Sequence, residues 1–159
     1  GAIVVAIIMQ IMYKKLDLTM ILNGALGGLV AVTAGPDLYD IYTPILIGSV
    51  GGILVVIGVS FFDKLKIDDP VGALSVHLLN GIWGTVAVGL FASNGDDITL
   101  LGQLKGIIVV AIFAFVSSYI ILYIINKIMP LRAGNDEEMQ GLDVEECGIE
   151  AYPEFKRVF

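Results

Sequence analysis

One histidine, His77, sits in a stretch that is otherwise almost wholly apolar. From Val71 to Ala92 the chain reads "VGALSVHLLNGIWGTVAVGLFA", relieved only by Ser75, His77, Asn80 and Thr85. Ionisable residues within an apolar membrane span are costly, face the protein interior and mark paths for polar solutes. Imidazole suits such a place because its neutral form offers one N–H donor and one acceptor without a charge. Asn80 and Gly84 follow three and seven residues later and Leu74 precedes by three, so α-helical spacing places Leu74, His77, Asn80 and Gly84 on one face. Two readings stay open: His77 and Asn80 line a path for a small polar solute, or His77 is a structural group bonded to a neighbouring helix. No second histidine and no embedded carboxylate or thiol accompanies His77, so a metal centre is not expected. Just upstream, Asp68, Asp69 and Pro70 have the chemistry of a helix start. A carboxylate there accepts free N–H groups and complements the dipole, and proline suits the first turn.

The elements that carry these residues belong to a membrane protein. The 159 residues are 57% hydrophobic and 16% charged, with mean hydropathy +0.88. A soluble domain is about 45–50% apolar. Charges cluster between long uncharged runs, the pattern of a polytopic all-α membrane protein. The single cysteine, Cys147, excludes an intrachain disulfide framework. No basic face for nucleic acid is present. Enzymatic chemistry also lacks its parts, since no embedded nucleophile–base pair, metal cluster or phosphate loop can be found, and no cofactor is expected.

Five apolar segments predict five transmembrane helices, at about 1–13, 18–34, 43–62, 71–92 and 106–126. Breakers or charges separate them: Lys14–Asp17, Gly35–Asp37, Asp63–Pro70 and Ser93–Thr99. Gly1 opens directly into an apolar run with no initiator methionine and no basic leader region. Gly1–Met12 is too short to span a bilayer, which predicts that the sequence starts within a helix of a longer protein. Small residues recur at helical spacing, at Gly24, Gly27 and Gly28, at Gly48, Gly51 and Gly52, and at Gly81 and Gly84; such residues let backbones approach closely in lipid.

Basic residues set the orientation. Lys14, Lys15, Lys64, Lys66, Lys127 and Arg132 fall at alternate ends of the spans, against Lys105 alone on the other side. That asymmetry puts the tail, 131–159, in the cytoplasm. The tail carries eight acidic residues against Arg132, Lys156 and Arg157, which accounts for −5 of the net −7. Met139, Leu142, Val144, Ile149 and Tyr152 interrupt its charges and could dock on a membrane domain.

"DDPVGALSVHLLNGIWGT" resembles the second-histidine signature of the ammonium transporter (Amt/Mep) family, an Asp-Asp-Pro turn followed by a helix with Val-His and Gly-x-x-Gly. "LRAGNDEEMQGLDVEECGIEAY" is similar to that family's cytoplasmic C-terminal region, and "NGALGGLVAVTAG" to a helix two spans upstream. The chain departs from the pattern at Leu78, where many members carry glycine, and at Cys147, where the tail motif often has histidine. The resemblance implies a trimer of eleven-helix protomers built from inverted five-helix repeats. This chain would be helices seven to eleven plus the tail. It implies that His77 is the second of two pore histidines on an ammonia path; helical spacing adds Asn80 on the same face. It further implies a tail that docks through Gly141, Leu142, Asp143, Gly148 and Tyr152, a P-II signalling protein as a cytoplasmic partner, and residence in the plasma membrane. The rival reading is an ammonium sensor that binds a signalling partner without significant transport.

Overall fold

The computed structural model describes residues 1–92 and 98–151. Among them every regular element is helical. That is what long apolar runs dictate, because a helix satisfies all its backbone groups internally where lipid offers no partners. The elements are α1 (Ala2–Ile8), running into a π-helical turn (Met9–Tyr13), α2 (Leu18–Val32), α3 (Thr43–Lys64), a second π-helical turn (Ala73–Leu78) running into α4 (Leu79–Phe91), α5 (Leu100–Ile128), α6 (Asn135–Gln140) and α7 (Leu142–Cys147).

Polar residues punctuate these helices. Asp17 starts α2 by accepting from the Met20 N–H at 3.0 Å. Asp40 starts α3, accepting from the N–H groups of Thr43 (2.7 Å) and Tyr42 (2.9 Å) with Pro44 in the first turn. Bonds from Thr43, then Tyr42, hold the Asp40 carboxyl below the usual carboxylate range. Thr99 starts α5, its hydroxyl accepting from the Gly102 N–H at 3.1 Å.

Three helices are long and apolar enough to cross a membrane: Thr43–Lys64, the combined Ala73–Phe91, and Leu100–Ile128. Ala2–Tyr13 and Leu18–Val32 are shorter apolar helices; α2 rises roughly 22 Å, against about 30 Å of hydrocarbon. Helix bounds differ from the sequence expectation in places that have physical reasons. The last helix starts at Leu100 rather than 106, because a lone Lys105 does not break a helix. The helix expected from Val71 begins at Ala73, after Gly72 turns the backbone left-handed at φ +74°.

Chain contacts divide the protein into Gly1–Ala111 and Ile112 onward. In the first unit, α2, α3 and α4 pack through small residues. One buried cluster joins Val5, Met9 and Val56; another joins Ala31, Ile47 and Ala87 under Trp83, Tyr39 and Phe91. The second unit holds the rest of α5, which buries no residue, with Phe115, Tyr119 and Tyr123 stacked along one face and Lys127 5.4 Å from the Tyr123 ring. It also holds the tail helices α6 and α7.

Candidate functional site

The site is built around the start of α4. Asp69 accepts from the N–H groups of Leu74 (3.0 Å) and Ser75 (2.9 Å) and from the Ser75 hydroxyl (2.8 Å). It thereby satisfies donors that a helix start leaves free. Gly72 supplies the left-handed residue that lets the chain double back over this carboxylate. From there the backbone winds as a π-helix, the His77 N–H reaching the Gly72 carbonyl at 3.2 Å, five residues back. His77 thus sits on a wide turn anchored by a charge. Asp68 and Pro70 are exposed beside it.

Burial pushes the Asp69 carboxyl up, but bonds from Ser75, Leu74 and Ala73 outweigh it, and the net effect is a value below the usual range. A lowered folded value means that the stability Asp69 contributes is present above the ordinary carboxylate pKa and lost as pH falls through the folded one. Asp69→Ala is therefore expected to lower thermal stability of the complete protein at neutral pH by about 1 kcal/mol, the typical worth of such a cap. The difference from wild type should shrink on acidification below about pH 4. Unfolding followed by tryptophan fluorescence in detergent across pH would check both.

The helix that follows has two distinct sides. His77, Leu78, Gly81, Ile82 and Thr85 face a groove of about 440 Å³ whose other wall is Gly106, Ile107 and Val110 at the start of α5. Its lining is almost wholly apolar, and His77 is the titratable group in it. Ser75, Val76, Asn80, Gly84, Ala87 and Val88 are buried on the other side. The structure therefore does not bring Asn80 to the His77 groove, although their spacing suggested a shared face. Trp83 is a packing residue: its indole N–H donates to the Ile47 carbonyl at 3.0 Å and its ring meets Phe91 edge-on.

Ser75, Thr85 and Gly106 carried no assignment in the sequence, and Gly81 carried only that of a glycine for close helix packing. Ser75 had one usable signal, a hydroxyl just downstream of an Asp-Asp-Pro turn. Gly106 had none, since its helix joins the groove only in three dimensions. Among the described residues no group of three or more His, Cys, Asp or Glu side chains gathers.

In the tail, the expected docking residues form a local unit. Gly141, at φ +103°, separates α6 from α7, and Gly148, at φ +64°, ends α7. The Asp143 carboxylate accepts from the Ala151 N–H at 2.8 Å, and its carbonyl accepts from the Ile149 N–H at 3.2 Å. Leu142 is exposed. Tyr152, and Ser93–Asp97 of the turn expected at Ser93–Thr99, lie outside the described residues.

Apolar helices crossing at bare glycines, with one histidine turned into an apolar groove, define an integral membrane protein of the all-helical class. The profile of the Ammonium Transporter Family matches residues 1–152, and the chain belongs to that family, one of transporters rather than enzymes. A Synechocystis protein is 43% identical over 85% of this chain and 30% of its own length. Ammonium transporter Amt2 of Archaeoglobus fulgidus is 32% identical over 98% of the chain and 37% of its own. The chain thus spans about a third of the length of the curated relatives it matches. Among solved structures, a sensor Amt protein superposes with TM-score 0.80 at 30% identity, over 91% of this chain and 38% of that one. Candida albicans Mep2 superposes at 0.77 with 26% identity, over 86% and 34%.

Proposed function

We propose that this chain forms part of a protein that moves ammonium or ammonia across the plasma membrane, and that His77 faces the path. The observation that carries the reading is the placement of the chain's one imidazole on an apolar groove, on a helix start fixed by Asp69. An apolar lumen excludes a bare cation, whose desolvation is heavily penalised, and passes ammonia more readily where a hydrogen-bonding partner is fixed. A neutral imidazole can be that partner as donor and as acceptor. Five spans, one half of an inverted-repeat protomer in a trimer, are part of the same reading, as is a cytoplasmic tail. The lysine distribution supports that orientation. The tail's α6–α7 unit is a candidate docking element through Gly141, Leu142, Asp143, Gly148 and Tyr152, and the same face is where a P-II protein would bind.

The second reading, an ammonium sensor, is favoured by one observation, the likeness to a sensor Amt protein. Reconstitution of the complete protein in vesicles separates the two. An imposed ammonium gradient should drive flux well above that of protein-free vesicles. Ammonium binding with flux at the protein-free level would favour the sensor and overturn the transport reading.

A further inference from the structure

Asn80 and Ser75 are the buried polar side chains among the described residues. Ser75 is accounted for by Asp69. Asn80, 0% exposed, donates from Nδ2 to the Val76 carbonyl of its own helix at 2.9 Å, while its Oδ1 has no hydrogen-bond partner. A half-satisfied amide in a lipid-embedded bundle costs free energy that an apolar side chain of similar size would avoid. Its surroundings suggest what the amide does.

Asn80 lies where α4 crosses α2 and α3, against two residues with no side chain. A Cβ on Gly27 would stand 2.5 Å from Val55 Cγ2 and 2.8 Å from the Asn80 Nδ2, and a Cβ on Gly51 would meet the Asn80 Oδ1 first, at 2.9 Å. The flat amide is therefore inserted between two bare backbones, one edge on each. Its bond to Val76 fixes the side-chain rotamer and ties it to the π-helical turn, one residue before His77. Small residues elsewhere on this face, such as Gly84 against Ala31, permit close approach but give little resistance to rotation. The amide has the shape to resist it. A rotation of α4 by one residue, roughly 100°, would carry His77 away from its groove.

On the reading that His77 faces the path proposed above, we infer that Asn80 is a positioning residue. Held in the slot between Gly27 and Gly51, it sets the rotation and height of α4 and thereby aims His77 at the groove, without touching the solute itself.

The test uses the complete protein in vesicles, with ammonium and methylammonium as solutes and maximal flux and half-saturation read separately. Asn80→Ala and Gly51→Ala should each lower maximal flux on the order of tenfold, as small misplacements of a working group do. Half-saturation and the ammonium-to-methylammonium ratio should stay at wild-type values. The double variant should lose less than the product of the two single losses, because the methyl at position 51, whose nearest obstacle is the amide oxygen, grows into space that the amide has left. Gly48→Ala, whose methyl would meet nothing closer than 3.7 Å, should keep wild-type flux. If Asn80→Ala does not accumulate, Asn80→Ser, which keeps a small polar group, should show the same pattern more weakly.

A changed solute ratio, wild-type flux in the position-80 variants, or losses that simply multiply would overturn the inference. His77→Ala, run alongside, separates the two levels. If it loses flux while the Asn80 variants keep theirs, the positioning role alone fails. If it keeps wild-type flux, the path reading fails, and the positioning role with it.

Discussion

Replacing Gly84 with alanine will destabilise the complete protein, although the change adds one methyl group. A Cβ at this position would collide with the Ala31 carbonyl oxygen and lie 3.0 Å and 3.1 Å from the Ala31 carbonyl carbon and Cα. The obstacle is backbone, so no side chain can rotate aside, and α2 and α4 must separate. Overpacking a well-packed interior costs about 1–3 kcal/mol, and a rigid obstacle places this case at the upper end. The separation also loosens the cluster of Ala31, Ile47 and Ala87 beneath Trp83. One turn earlier, Gly81 has nothing within 4 Å of the same added atom. Gly81→Ala should therefore leave stability unchanged or slightly raised, since alanine is the better helix former. Thermal unfolding of the two variants side by side decides the matter. Equal stabilities would mean that the α2–α4 crossing has room for the added methyl.

The contrast between Gly81 and Gly84 also shows how far the sequence could be read. Both stood out as small residues at helical spacing. Spacing alone could not say that one meets backbone and the other a groove, because that depends on where α2 and α5 lie. Apolar runs between charged turns were enough to establish a helical membrane protein, and the lysines were enough to suggest its orientation. Asp69 was legible as a helix start because capping is local chemistry. The π-helical turn was not legible. It adds a residue to the turn that carries His77, and only the left-handed Gly72 hints at it.

That winding bears on the face assignment. Residues three apart are already roughly 60° apart on an α-helix, and here the angle is enough to divide them. His77 turns to the groove, while Asn80 turns to Gly27 and Gly51. In the tail, the glycines at 141 and 148 were visible as likenesses of a family pattern. Their positive φ angles, at the two ends of α7, needed coordinates.

The central claim is that His77 supplies the hydrogen-bonding partner on an otherwise apolar path. Alanine at this position leaves the groove wider and without its imidazole, so a solute shed of water finds no partner on this wall. Losing a hydrogen bond worth about 1.4 kcal/mol in the transport barrier slows passage tenfold, and a charge-assisted bond would count for more. Uptake of ammonium and methylammonium by vesicles holding the complete His77→Ala protein, compared with wild type at equal protein content, tests this most directly. Flux should fall on the order of tenfold or more with the protein still folded. Wild-type uptake and wild-type selectivity would contradict it and return His77 to a structural role.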